Sequence, residues 1–119
     1  MVDRRALRQL SEIASLLRDR DLAKLAEHQS ELNKTKAKHA RFIQASENEN
    51  KLMAKNLGYR REIEGPRLLW REQQIYALSH YAARAAALVE AQKKVAAKSF
   101  GRAKVIERIE EASKDSTRR

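Results

Sequence analysis

The feature that most constrains this chain is the scarcity of helix-breaking residues outside one central segment. Three of the 119 residues are Gly and one is Pro, and residues 57–66 contain two of those glycines and the proline. Gly is favoured just beyond the C-terminus of a helix, and Pro in the first turn of the next. The sequence therefore predicts two long helices joined by one short connection.

The predicted boundaries follow from that central segment. We place a first helix near residues 3–57, a turn near 58–66, a second helix near 67–113 and a frayed tail at 114–119. A short connection makes two helices antiparallel neighbours. The predicted fold class is all-α, with two long helices forming an antiparallel coiled-coil hairpin. We expect residues 1–119 to form a single elongated domain.

The second helix carries a regular apolar seam, with steps of three and four residues. Gln92 and Ser99 interrupt it. Its apolar members are Ile75, Leu78, Ala82, Ala85, Val89, Ala96, Ala103 and Ile106. Such a seam faces a partner helix in a coiled coil. Gly101 lies inside this helix at a cost of about 1 kcal/mol relative to Ala. Either tight packing of the opposing helix or a hinge would explain it.

The first helix has a less regular pattern. A seam begins at Leu7, Leu10, Ala14 and Leu17, and resumes after a phase shift at Leu22, Leu25 and Leu32. Spacings of eleven residues, such as that from Ala14 to Leu25, predict an apolar stripe that drifts away from a strict heptad repeat. Residues 44–51 are almost wholly polar. The simpler interpretation is one continuous helix with a weak stretch, but Ser46 and Glu49 have capping-box spacing and would suit a restart.

Few residues carry chemistry. The chain has no Cys, which excludes a disulfide scaffold, a thiolate zinc site and a cysteine nucleophile. The histidines His28, His39 and His80 are too far apart for a local ligand set. Glu72 and Tyr76 precede His80 at steps of four, which an exposed polar stripe explains better than a metal. We expect no enzyme, no metal and no cofactor.

The charge is strongly basic but evenly spread. Net charge is +10; residues 1–57 carry 12 basic and 8 acidic side chains, and residues 58–119 carry 14 and 8. Interspersed charges are typical of a solvated helical surface. A basic protein is also attracted to polyanions, so nucleic acid stays an alternative partner.

The aromatic residues are the first candidate partner-binding set. Folding the chain about the predicted turn brings together residues whose numbers add to roughly 124. Phe42 would then lie level with Tyr81, and Met53 with Trp70. Trp70 and Tyr76 lie in the same turn-proximal half. These aromatic residues either fill the seam or remain partly exposed as a protein-binding patch.

The basic residues near the end of the second helix are the second candidate set. Lys98, Arg102 and Arg108 lie there, and the residues predicted to be level with the helix tail are Arg4, Arg5 and Arg8. Ordinary charges flanking a coiled coil would explain them. The alternative is an electrostatic grip on an acidic protein surface or a phosphate backbone.

The short basic helical hairpin with Ala-rich seams resembles a known family, the stalk proteins of flagellar type III export (FliJ-like proteins, related to the YscO-like injectisome proteins). The segment Ala96–Lys104 is similar to the end of the second helix in short members. The resemblance implies a stalk in the pore of a hexameric export ATPase. It also implies contacts with the membrane export gate and with empty export chaperones.

The expected function is therefore a non-enzymatic protein-interaction stalk or adaptor of a flagellar or type III protein export apparatus. Its expected partners are the export ATPase ring, the export gate and the export chaperones. The alternative is a basic coiled-coil nucleic-acid-binding protein. No segment of the sequence has the length and apolarity of a signal peptide or a membrane span, so we expect a cytoplasmic protein, peripheral at the export apparatus.

Overall fold

The computed structural model describes the backbone of residues 3–55 and 61–117, with side chains over 3–55 and 65–116. Helix α1 comprises Arg4–Lys55 and helix α2 comprises Arg61–Thr117. The two pack against each other as an antiparallel hairpin, and the described residues include no strand. The predicted all-α hairpin is confirmed.

Helix α1 has no interruption. Its N-terminus is capped by Asp3, whose Oδ1 accepts a hydrogen bond from the backbone N–H of Arg5 at 3.0 Å. The Asp3 carbonyl accepts one from the backbone N–H of Leu7 at 2.9 Å. An acidic cap also suits the positive end of the helix dipole. The helix continues through residues 44–51, so the interpretation as one continuous helix is confirmed and no restart occurs there.

Helix α2 is longer than predicted at both ends. It begins at Arg61, so Gly65 and Pro66 lie inside the helix and not in a turn. Pro66 is the sixth residue of α2, two positions beyond the four whose N–H groups have no intrahelical acceptor, so its lack of an N–H removes one intrahelical hydrogen bond. The helix also extends to Thr117, so most of the tail predicted to be frayed is helical. Residues 56–60, including Gly58, lie outside the described residues.

The hairpin consists of two compact units. Unit 1 is Met1–His28 with Leu88–Arg119, and unit 2 is Gln29–Ala87. In unit 1, Asp21 contacts Ser99. In unit 2, Glu49 contacts Arg71 at 2.9 Å. Facing residues in each unit therefore have numbers that add to 120.

The predicted register was wrong by about four residues. With facing numbers that add to 120, Phe42 lies level with Leu78 and not with Tyr81, and its ring also contacts Trp70, with ring centroids 5.8 Å apart. The error follows from the helix boundary. Because α2 begins at Arg61 and not near residue 67, the chain reverses earlier than the sequence-based estimate assumed.

The seam of unit 1 is a regular heptad seam on both helices. Its residues are Leu7, Ser11, Ala14, Arg18, Asp21, Leu25 and His28 from α1, and Val89, Gln92, Ala96, Ser99, Ala103, Ile106, Glu110 and Ser113 from α2, all buried or half-buried. The α2 seam matches the prediction, including the two polar interruptions. Steps of three and four residues are those of a left-handed coiled coil.

The predicted α1 seam was partly wrong. Leu10, Leu17 and Leu22 are 52%, 39% and 43% exposed, so they lie outside the seam. Four of the seven seam residues that α1 contributes to unit 1 are polar, such as Ser11 and Arg18, and the leucine pattern therefore identified a neighbouring stripe. There is no phase shift; the seam keeps steps of three and four residues.

Unit 2 continues the pattern with larger side chains. Its seam residues are Leu32, Thr35, His39, Phe42, Ser46, Glu49 and Met53 from α1, and Arg71, Ile75, Leu78, Ala82 and Ala85 from α2. Leu32 is 5% exposed and Arg71 is 5% exposed. Because Arg71 is almost fully buried, its electrostatic partners are decisive for the packing of this unit.

Gly101 is not explained by tight packing. A Cβ built at this position meets nothing within 4 Å, and its φ is not positive. The helix backbone at Gly101 therefore has the conformation of any L residue, and the site is open to solvent. The interpretation that the opposing helix packs closely on it is wrong.

We expect Gly101→Ala to stabilise the hairpin. Removing the backbone freedom of Gly in an open helical position should raise the free energy of unfolding by about 1 kcal/mol. Ala97→Gly, at another exposed position of α2, should lower it by about the same amount. Urea denaturation followed by circular dichroism measures both. Destabilisation by Gly101→Ala would mean that some neighbouring group needs this space.

Candidate functional site

A polar layer lies in the middle of unit 1. Asp21 is 3% exposed and Ser99 is 8% exposed. The Ser99 hydroxyl donates a hydrogen bond to Asp21 Oδ2. Gln92 donates one from Nε2 to the Asp21 carbonyl oxygen at 3.1 Å. Arg20 donates to Asp21 Oδ1 from Nε at 3.3 Å and from Nη2 at 3.2 Å.

These contacts explain the charge state of Asp21. The hydrogen bond from Ser99 lowers the pKa of the Asp21 carboxyl below its ordinary value of 3.8. Burial opposes this shift, and the hydrogen bond and positive charge of Arg20 add to it. Asp21 is therefore a carboxylate inside a helical seam, with every close polar neighbour donating to it. Through Ser99 and Gln92 this carboxylate residue joins α1 to α2 in the middle of the unit 1 seam.

Unit 2 has its own polar cluster, centred on Glu49. Its two carboxylate oxygens accept ion pairs of 2.9 Å from Arg67 and from the nearly buried Arg71. Arg71 also donates a hydrogen bond to Asn50 Oδ1. Nearby, His39 Nε2 and Ser79 Oγ are 3.1 Å apart. These contacts join α1 to α2 in unit 2.

The aromatic candidates divide into a packed residue and three exposed ones. Phe42 is half-buried and packs against Trp70 with its ring tilted by 55°. Trp70 remains 55% exposed. Tyr76 stacks on the exposed His80 ring at 6.4 Å and is 75% exposed, and Tyr81 is 60% exposed. One facing helix leaves most of this aromatic surface in solvent.

The three basic candidates do not form one cluster. Lys98, Arg102 and Arg108 are all exposed, and none forms an ion pair with another described residue. By heptad position, Lys98 and Arg102 lie on one flank of the unit 1 seam. Arg108 lies on the side of α2 opposite the seam. Charge reversal at Arg108 therefore alters a different surface from reversal at the other two.

The arginines at the start of α1 lie beside the end of α2, as predicted. A groove of about 280 Å³ is lined by Arg4, Arg5, Leu7, Arg8, Glu110, Ser113 and Lys114. Four of these residues are basic and one is acidic, so this end of unit 1 has a positive surface.

Sequence reasoning missed a further set of residues on unit 1. Large apolar side chains lie outside the seam and are exposed: Leu10, Ile13, Leu17, Leu88, Val95, Val105 and Ile109. The α2 seam was already identified correctly, and it leaves Val95 and Ile109 outside. A second stripe could thus have been recognised on α2. On α1 the same leucines were assigned to the seam itself.

Neither metal ligation nor membrane spanning is indicated over the part of the chain that the structure describes. No group of three or more His, Asp or Glu side chains there is arranged to hold a metal ion. Neither described helix contains a stretch both long and apolar enough to cross a membrane.

Comparisons with protein-family models, with curated proteins and with solved structures found no match to this chain.

We expect Asp21→Asn to lower the melting temperature at pH 7 and to lose this effect in acid. A carboxylate with a lowered pKa adds stability above its ordinary value of 3.8, and that stability is lost as pH falls through the lowered pKa. The difference between wild type and variant should therefore shrink below pH 3.8. Melts at several pH values followed by circular dichroism test this. Asp19→Asn, which changes an exposed carboxylate, is the control; an equal pH response in both variants would contradict the assignment.

Proposed function

We propose that this chain is a protein-binding helical hairpin, acting as a stalk or adaptor of a flagellar or type III protein export apparatus, with the export ATPase, the export gate or export chaperones as its partners. The observation that carries the proposal is the amount of aromatic surface left uncovered in unit 2. Trp70, Tyr76 and Tyr81 are each more than half exposed. Exposed aromatic side chains on a helical scaffold are the anchors that protein interfaces use.

The packing of the seam also supports binding by the outer faces. In unit 1 the buried apolar seam residues are Leu7, Ala14, Val89, Ala96 and Ala103. Three of these five are alanines, which bury little area per residue. Larger apolar residues lie outside, where they add no area to the seam. The hairpin thus keeps much of its apolar surface for contacts with other molecules.

The link to protein export derives from the resemblance. A basic antiparallel hairpin with an Ala-rich seam through Ala96–Lys104 is similar to the export stalk proteins. In that assignment the positive end of unit 1, with its groove beside Arg4 and Arg8, would enter the ATPase ring. The aromatic surface of unit 2 would serve a second partner, the gate or a chaperone.

The second candidate function is nucleic-acid binding, which the net charge of +10 favours. Stacking on bases requires aromatic rings interleaved with basic residues. Phe100 is the ring closest to the basic residues of unit 1, and Lys104 Nζ already lies 5.8 Å from its centre. Without stacking on bases, nucleic-acid binding would depend on electrostatic attraction between the basic side chains and the phosphates.

A salt titration separates the two functions. We expect any binding to single-stranded or duplex nucleic acid to be weak and to be lost at about 150 mM salt, because it would depend on scattered surface charge alone. Fluorescence anisotropy with labelled oligonucleotides measures this. Binding that persists at physiological salt with a steep salt slope would favour the nucleic-acid function over the proposed one.

Substitutions in the two units should have separable effects. Trp70→Ala or Tyr76→Ala should weaken binding to the gate or a chaperone by about tenfold or more, since aromatic anchors carry much of the energy of such contacts. Arg102→Glu with Arg108→Glu should instead reduce stimulation of a purified export ATPase.

The structure makes these changes good probes, because all four side chains are exposed and their loss should leave helicity unchanged. Circular dichroism and melting curves are the controls. If both classes of variant unfold the hairpin, or if neither affects either partner, the two-partner stalk is the wrong function.

A further inference from the structure

Unit 1 presents a stripe of exposed apolar residues on each helix, beside the seam. The stripe on α1 contains Leu10, Ile13 and Leu17, and the stripe level with it on α2 contains Val105 and Ile109; Val95 and Leu88 are exposed further along α2, level with residues 25 and 32 of α1. Leu10 and Leu17, which flank the seam, are 52% and 39% exposed, and Ile13, one step further round, is 54% exposed.

The two stripes lie on the same side of unit 1. Leu10 comes three residues after Leu7 and four before Ala14 on α1. On α2, Ile109 comes three residues after one seam residue and four before the next. These two seam residues face Ala14 and Leu7, because facing residues have numbers that add to 120. An antiparallel helix runs in the opposite direction and also faces its partner from the opposite side, and the effects of these two reversals cancel. Residues at equal offsets from the seam in the two helices therefore lie on the same side of the pair. Leu10 and Ile109 therefore lie level on one face.

A band of basic residues continues this face towards the middle of unit 1. It is formed by Arg20 and Lys24 on α1 and by Lys98 and Arg102 on α2, all exposed. Arg20 is hydrogen-bonded to Asp21 in the seam beneath.

The other three basic residues of the band form no ion pair within the described chain. Acidic residues on the same stripes lie only beyond its two ends, at Asp3 and Glu27. Over residues 6–24 of α1 the face is thus apolar in one half and cationic in the other, and Val95 and Leu88 lie beyond the cationic half.

We infer that this face binds an amphipathic helix from another protein, with aliphatic residues over the apolar half and acidic residues over the basic band. The inference rests on the proposed protein-binding function and names the chemistry of one partner. From Ala6 to Lys24 the face spans about 18 residues, so the bound helix would be about 27 Å long. Two adjacent helices with parallel apolar stripes form the groove into which a third helix packs.

The charge of the face favours an acidic helix over a second copy of this chain and over nucleic acid. A second copy would bring another chain of net charge +10 and a second basic band, which like-charge repulsion opposes. Nucleic acid would satisfy the basic band but would leave the aliphatic half without a partner. An acidic helix is the occupant that is complementary to both halves.

The probe is a labelled synthetic helix of about 18 residues with Leu at coiled-coil core positions in one half and Glu along the other. Its controls are the same peptide with Lys in place of Glu and one with Ser in place of Leu. Fluorescence anisotropy against the full chain gives the dissociation constant. We expect the acidic peptide to bind at least tenfold more tightly than either control.

Matched variants locate the binding face. Lys98→Glu with Arg102→Glu should weaken the acidic peptide by about tenfold and strengthen the Lys peptide. Leu10→Ser with Ile109→Ser should weaken both peptides. Lys94→Glu and Leu16→Ser, which change exposed residues on the outward sides of the helices, should alter neither.

Three results would overturn the inference. One is equal binding of the acidic and Lys peptides. Another is concentration-dependent dimerisation, seen in sedimentation, that Leu10→Ser with Ile109→Ser abolishes, since the face would then bind a second copy. The last is binding of anionic vesicles or oligonucleotides that competes with the peptide and is tighter. Stimulation of an export ATPase by the wild-type chain is measured separately. Stimulation without peptide binding would overturn the inference and leave the proposed function standing. Peptide binding without stimulation would support the inference and overturn the proposed function.

Discussion

The contact between Asp21 and Ser99 fixes the alignment of the helices in unit 1. Both side chains are buried, and the carboxylate of Asp21 lies in the same seam as Leu7, Val89 and several alanines. A buried charge is tolerated only where hydrogen-bond donors surround it. A slip of one heptad would place the Asp21 carboxylate opposite Ile106 in one direction. The alanines of the seam are nearly interchangeable, so this polar layer specifies which of several similar packings forms.

The same constraint determines what remains outside the seam. Small and polar residues bring the two helices together but bury little apolar area, and the larger aliphatic residues of unit 1 therefore lie on its flanks. In unit 2 the seam is bulkier, and there the exposed surface is aromatic, at Trp70 and Tyr76. Each unit thus combines a specific but thin interface with an apolar outer surface of its own. Partner binding would add to the free energy of unfolding through mass action.

The fold was predictable where the helix pattern was apolar. Regular steps from Ile75 to Ile106 identified the α2 seam, and the lack of helix breakers predicted two long helices. The α1 seam was not recoverable from hydrophobicity, because Asp21 and other polar residues occupy it while leucines lie beside it. Pro66 led to the wrong boundary, because proline is usually found in a turn or in the first turn of a helix, and here it lies in the second turn of α2. The sequence left open whether the aromatic residues fill the seam or remain exposed. The apolar face of unit 1 was not predicted, because its α1 leucines were assigned to the seam.

Net charge limits which surfaces of this chain can meet each other. Exposed aliphatic stripes such as the one at Leu10 and Ile13 favour association, whereas a charge of +10 on 119 residues opposes association between copies. The two effects together discriminate between partners: an acidic molecule gains from both, and an identical chain gains from one and loses from the other. Evenly spread charge is enough for this discrimination, and a dense basic cluster is not needed. Repulsion between two whole chains depends on their total charge. Recognition of a helix depends on the few basic residues beside the apolar stripe. The basic composition is therefore consistent with protein recognition and does not by itself require a nucleic-acid partner.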